Sequence, residues 1–154
     1  MKKSMARSLA FVLILTMFSV CQTQAASRQT GTYYKTYKAT AGFEVDSDPM
    51  YCVTVNKIKN KKITFQISYF GINGSPIYQT KVITAKLNKD NRVSFKWEDT
   101  WENSGVGKMK LCNGYVKLKM TVTQSAANNR YTLATGNKYI KIKKQNNNTK
   151  LNRW

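Results

Sequence analysis

The sequence predicts an all-β protein, either a small antiparallel barrel or a sandwich of seven to eight short strands. Three observations carry this. Apolar and polar residues alternate with period two through much of residues 33–143, the spacing that buries one face of a strand and wets the other. The alternating runs are short and separated by clusters rich in Asn, Gly and Lys. No run repeats its apolar residues at the three- and four-residue spacing of an amphipathic helix.

Tyr33 to Tyr37 reads as the first strand. Tyr51, Val53 and Val55 form the apolar side of the second, opposite Cys52, Thr54 and Asn56. After Asn60-Lys61-Lys62, suited to a hairpin, Ile63, Phe65, Ile67 and Tyr69 alternate with Thr64, Gln66 and Ser68. Gly71 to Pro76 is a turn, and one long strand is predicted from Ile77 to Leu87. Val93, Phe95 and Trp97 define the next strand. A Trp-rich loop then leads to Met109 and Leu111 before Asn113-Gly114, a two-residue hairpin signal. The return strand sets Val116, Leu118, Met120 and Val122 against Lys117, Lys119 and Thr121, and Tyr139 to Lys143 is the last strand. Gln124 to Asn129 is the one stretch suited to a helical turn. One face is apolar and the other carries lysine, which fits a meander closed into a small lipocalin-like barrel or folded as a sandwich.

The N-terminus has the order of a secretory signal peptide: basic Lys2, Lys3 and Arg7, the apolar run Leu9 to Cys21, then Gln22-Thr23-Gln24-Ala25-Ala26. The run is shorter than the ~20 residues of a membrane-spanning helix, and no later segment is apolar enough to span. Thr23 and Ala25 place cleavage after Ala25. Lipid attachment at Cys21 is the competing reading, opposed by Val20 where a small residue is preferred. The expected organisation is a signal peptide over 1–25, a single β-domain over 26–144 and a flexible basic tail over 145–154. The expected location is extracellular, with cell-surface association.

Cys52 and Cys112 are the two cysteines beyond the signal segment. Export, an even count and matching outward parity predict one intramolecular disulfide between them. That bridge requires their strands to be neighbours.

The region after residue 25 holds 23 basic residues against seven acids, a formal +16, and lysine supplies 19 of the 23. Such a charge keeps an exported protein dispersed, or draws it to a polyanion. Lysine excess makes a diffuse field rather than the arginine forks of base or phosphate recognition. The expected partner is an anionic cell-wall polymer or membrane surface, with no specific nucleic acid.

The chain has no histidine, which removes Ser-His-Asp triads, Cys-His pairs and the common zinc sites. No cofactor and no catalytic residues are assigned, and the protein is expected not to be an enzyme. Glu44, Asp46 and Asp48 alternate before a strand but lack the calcium-loop pattern. A glycosidase built on Glu98 with Asp99 or Glu102 is disfavoured, because adjacent acids on a strand face opposite ways.

The chain's densest chemistry is Trp97-Glu98-Asp99-Thr100-Trp101-Glu102-Asn103-Ser104-Gly105-Val106-Gly107. Trp97, Asp99, Trp101 and Asn103 form a candidate glycan site, with flat rings for sugar C–H faces and polar groups for hydroxyls. The alternative is structural: Trp97 continues the Val93-Phe95 parity into the core, Asp99 and Asn103 satisfy backbone groups, and the glycines shape the chain.

The run Trp97-x-Asp99-x-Trp101-x-Asn103-x-Gly105-x-Gly107, with Val116-x-Leu118-x-Met120 and Ala126-x-x-Asn129-Arg130, resembles a family of small secreted or envelope β-domains of Gram-positive bacteria. The likeness covers most of residues 30–135, with Glu102 where the pattern expects glycine. It implies a β-domain at the cell surface and brings no activity or catalytic residues. Together these readings lead to a non-enzymatic domain held electrostatically to the envelope, with a small glycan-binding module as the alternative.

Overall fold

The computed structural model describes residues 28–36, 50–71, 76–126 and 133–151. The signal segment, the acidic run around Asp46, the centre of the Gly71–Pro76 turn and Asn129-Arg130 lie outside these residues, as does the second half of the predicted helical turn. Nine strands follow one another: β1 (Gly31–Thr36), β2 (Met50–Lys59), β3 (Lys62–Phe70), β4 (Pro76–Gln79), β5 (Ile83–Lys86), β6 (Arg92–Glu98), β7 (Ser104–Cys112), β8 (Tyr115–Gln124) and β9 (Ile140–Asn146). All pairings between them are antiparallel.

The strands make one sheet in the order β4-β3-β2-β1-β9-β8-β7-β6, with β5 continuing along the same edge of β3 as β4. The sheet curls strongly into a half-barrel. This is the barrel-type meander, not the sandwich. Strands adjacent in sequence pair from β1 to β4 and from β6 to β9, whereas β4 and β5 both pair with β3, β5 does not pair with β6, and β9 returns to pair with β1. The two outer edges approach each other: Thr80 bridges Asp99, the Lys81 N–H donates to Glu98 O at 3.2 Å and the Thr100 N–H to Gln79 O at 3.0 Å.

The core fills the inside of the curl. Tyr33, Val53, Phe65, Ile67, Met109, Leu118 and Ile142 are all essentially inaccessible to solvent. Phe65 on β3 and Phe95 on β6 meet edge to face with centroids 5.0 Å apart, so the apolar filling is continuous between the two edges. Leu133 enters the core from the chain between β8 and β9. It is fixed by the Tyr51 hydroxyl, which donates to Leu133 O at 3.0 Å.

Local chemistry explains the elements. Asn60 and Lys61 both take positive φ, 52° and 56°, the paired conformation whose twist matches two antiparallel strands. β2 slips register at Asn56, and its apolar parity changes there from Val55 to Ile58. The predicted strand from Ile77 to Leu87 is two strands. Tyr78 and Ile83 are both buried but have opposite parity, and a single pleated strand cannot bury both. The chain therefore leaves β3 at Thr80 to reach Asp99 and rejoins it at Ile83. At the C-terminus, β9 runs through Asn146. The residues after it are tied to β1 and β2 by the Thr32 hydroxyl donating to Asn148 O at 2.6 Å and the Asn56 amide donating to Thr149 O at 2.9 Å.

The disulfide expectation is corrected here: Cys52 and Cys112 are unbridged thiols. Their outward parity does match, and they even share one cross-strand row, Cys112–Tyr115–Lys143–Tyr34–Cys52. That row spans four strand spacings, about 19 Å along the sheet, against the ~7 Å between Cα atoms that a bridge tolerates. The return of β9 to β1 places three strands between them.

Candidate functional site

The turn after β6 is built from the inside outward. Trp97 is buried, and its indole N–H donates to Val106 O at 3.2 Å. The Asp99 carboxylate is also buried and organises the loop. Its Oδ1 accepts from the Trp101 N–H at 2.9 Å and the Asn103 N–H at 3.0 Å, and the Asn103 amide donates to Oδ2 at 3.1 Å. Asn103 is wholly inaccessible, and its Oδ1 accepts from the Ala126 N–H at 3.1 Å. A carboxylate receiving backbone N–H groups in this way fixes a tight turn. The turn is completed by Glu102 at φ 63°, a conformation in which a glycine carries no Cβ penalty.

Of the four residues in the candidate glycan site, three therefore serve the fold. Trp101 differs, being 52% exposed. Its indole N–H donates to Ile77 O at 2.7 Å and its ring lies 6.5 Å from that of Tyr78. Glu98 stands on the solvent side in an ion pair with Lys81 at 2.9 Å, while Asp99 is buried on the other, so the two acids share no cleft.

The opposite chemistry occupies the outer face of β6 to β9. Outward positions of β6 alternate strictly with buried Val93, Phe95 and Trp97, and register does the rest. Arg92 lies opposite Lys110, Lys110 opposite Lys117, and Lys117 opposite Lys141, a row of four cations across four strands. The next row runs Ser94–Lys108–Lys119, and the next Lys96–Val106–Thr121. Lys141 places its ammonium 4.2 Å from the centre of the Tyr115 ring, a favourable cation–π contact. Like charges directly opposite on a sheet are destabilising. No carboxylate answers this row: among the described residues the one ion pair is Lys81–Glu98, at the far end of β6.

Lysine alternation on this face is visible in the sequence, but the alignment of Arg92, Lys110, Lys117 and Lys141 is not. It depends on the β8–β9 register, which the long connection between Gln124 and Ile140 does not fix as a two-residue turn would. Among the described residues there is no group of three His, Cys, Asp or Glu side chains placed to hold a metal ion, and no helix long and apolar enough to cross a membrane. Compared with known proteins, the chain matches no family model, no curated protein and no solved structure.

Proposed function

We propose that this is an exported, non-enzymatic β-domain that holds to the anionic cell envelope, or to another extracellular polyanion, through the cationic face of β6–β9. The observation that carries the reading is the Arg92–Lys110–Lys117–Lys141 row. A fold that aligns four cations without an opposing acid loses stability unless an external anion compensates. The N-terminal segment supplies the address, and the likeness to small Gram-positive envelope domains agrees with it.

The test is retention on purified cell walls. Attachment through lysines falls steeply with ionic strength, because bound counterions are released and the field is screened over ~10 Å at 0.1 M salt. Retention at low salt, lost at high salt and lost in a Lys110→Glu/Lys117→Glu variant, is the expected result. Salt-independent retention, or none at low salt, refutes it.

Trp101 favours a second reading, a glycan-binding module reduced to one half-exposed ring beside Ile77. A glycan array comparing the wild type with Trp101→Ala decides it. Loss of a specific signal in a folded variant supports the module, and an unchanged array refutes it.

A further inference from the structure

Two hollows open side by side on the cationic face. One, of about 840 Å³, is walled by Lys86, Arg92, Lys108, Lys110 and Lys117. The other, of about 760 Å³, adds Lys96 and Lys119 beside Val106. Ser94, Lys108 and Tyr139 line both, so the hollows form one trough with Tyr139 at its waist. Tyr139 is 53% exposed. Among the described residues, no carboxylate lines either half.

Resting on the reading above, we infer that this trough binds a single linear polyol-phosphate polymer, its phosphates on the lysines and its uncharged spacer over Tyr139. Three features select that chemistry. The first is shape: a long trough, half open to solvent, seats a chain along its length. The second is the cation type. Six of the seven lining cations are lysines, point charges that each hold one anionic group without the fixed bidentate geometry of an arginine fork, which suits single phosphates repeated along a flexible chain. Their spacing, about 5 Å across strands and about 7 Å between alternate residues on one strand, offers a charge at each short step along a chain. The third is the single exposed ring. Single-stranded nucleic acid needs aromatic platforms for successive bases, and Tyr139 alone cannot supply them. One phenol suits a spacer of C–H groups, with its hydroxyl free to donate to a phosphate oxygen.

The experiment is calorimetric titration of the protein at low salt with soluble poly(glycerol phosphate), oligo-dT and phosphatidylglycerol vesicles. The wild type is compared with Tyr139→Ala, Lys108→Gln and the control Lys150→Gln, beyond the end of β9 and outside both hollows. Poly(glycerol phosphate) is expected to bind tightest per phosphate. Lys108→Gln and Tyr139→Ala should each weaken it about fivefold or more, the size of a lost charge-assisted contact, and Lys150→Gln by less than about twofold. Amide shifts of the wild-type protein on adding polymer should centre on Ser94, Lys108 and Tyr139, a readout independent of how the variants fold. Equal weakening by Lys108→Gln and Lys150→Gln, or shifts spread over all lysines, overturns the trough and leaves the polyanion reading standing. Preference for vesicles or for oligo-dT overturns the polymer assignment. No binding to any of the three overturns both the trough and the polyanion reading.

Discussion

Gly107 lies directly opposite Phe95 in the β6–β7 register, and the phenylalanine ring occupies the space a Cβ on residue 107 would need. Gly105 lies opposite Trp97, and a Cβ there would meet the Thr121 carbonyl oxygen first and then the indole at 2.9 Å. The Gly-x-Gly spacing of β7 thus records the Phe95 ring at one position and a backbone carbonyl with the Trp97 ring at the other.

Gly107→Ala should therefore destabilise the protein by about 1–3 kcal/mol, the usual cost of forcing atoms into a filled core. Denaturant unfolding should show a lower midpoint with an unchanged slope. A neutral or stabilising effect would show that Phe95 moves aside freely.

The turn after β6 yields a contrast within five residues. Asp99→Ala removes the acceptor for two backbone N–H groups and takes from the Asn103 amide its carboxylate partner, at an expected cost of about 2–3 kcal/mol. Trp101→Ala, at a half-exposed ring, should cost less than about 1 kcal/mol. Urea titration of both variants measures the difference, and a reversed order would refute this account of the loop.

Most of the fold was legible because burial imposes period two, and period two survives in the sequence. Val93-Phe95-Trp97 and Val116-Leu118-Met120 read correctly for that reason. What failed was whatever depends on which strands become neighbours. The parity break between Tyr78 and Ile83 was present in the sequence but hidden inside one apolar run, so one strand was expected where there are two. Cys52 and Cys112 share a face, as their parity predicts, but not adjacency, because nothing local announces that β9 turns back to β1. At the candidate glycan site, sequence chemistry proposed both a ligand role and a structural one. Burial assigns Trp97, Asp99 and Asn103 to the structure and leaves Trp101 outside.

The two thiols should behave differently. Intact mass without reductant should show no loss of two hydrogens, and alkylation should reach half-exposed Cys112 well before buried Cys52. Burial pushes the Cys52 thiol from 9.0 up to about 11. Between these values the unfolded chain releases the proton first, so stability is complete below about pH 9 and falls toward pH 11 by about 1.4 kcal/mol per unit. Tyr33, raised by burial from 10.0 to about 12, adds a second fall in the same direction at higher pH. Cys52→Ser should abolish the earlier fall and keep the later one, as followed by urea unfolding across this range. An unchanged profile refutes the assignment.

The cation row carries a stability prediction with an unusual sign. Lys117 lies between Lys110 and Lys141, so Lys117→Glu should stabilise the free protein at low salt, by about 0.2–1 kcal/mol for each opposing pair. The gain should vanish in ~1 M salt, where the screening length falls to ~3 Å. The same variant should bind polyanions more weakly. Thermal melts at two salt concentrations test this, and destabilisation at low salt would show that the row is not under repulsion.

The return of β9 has a kinetic meaning. Apart from the Thr80–Asp99 bridge, among the described residues no ladder joins β1–β5 to β6–β8 except through this last strand. Until residues 140–146 are in place, the polypeptide consists of two meanders lacking a common sheet. Each is assembled from local hairpins, and docking them requires closing a loop from β1 to β9, which is slow. Completion of the sheet thereby waits on β9, the latch that commits the polypeptide to its final form.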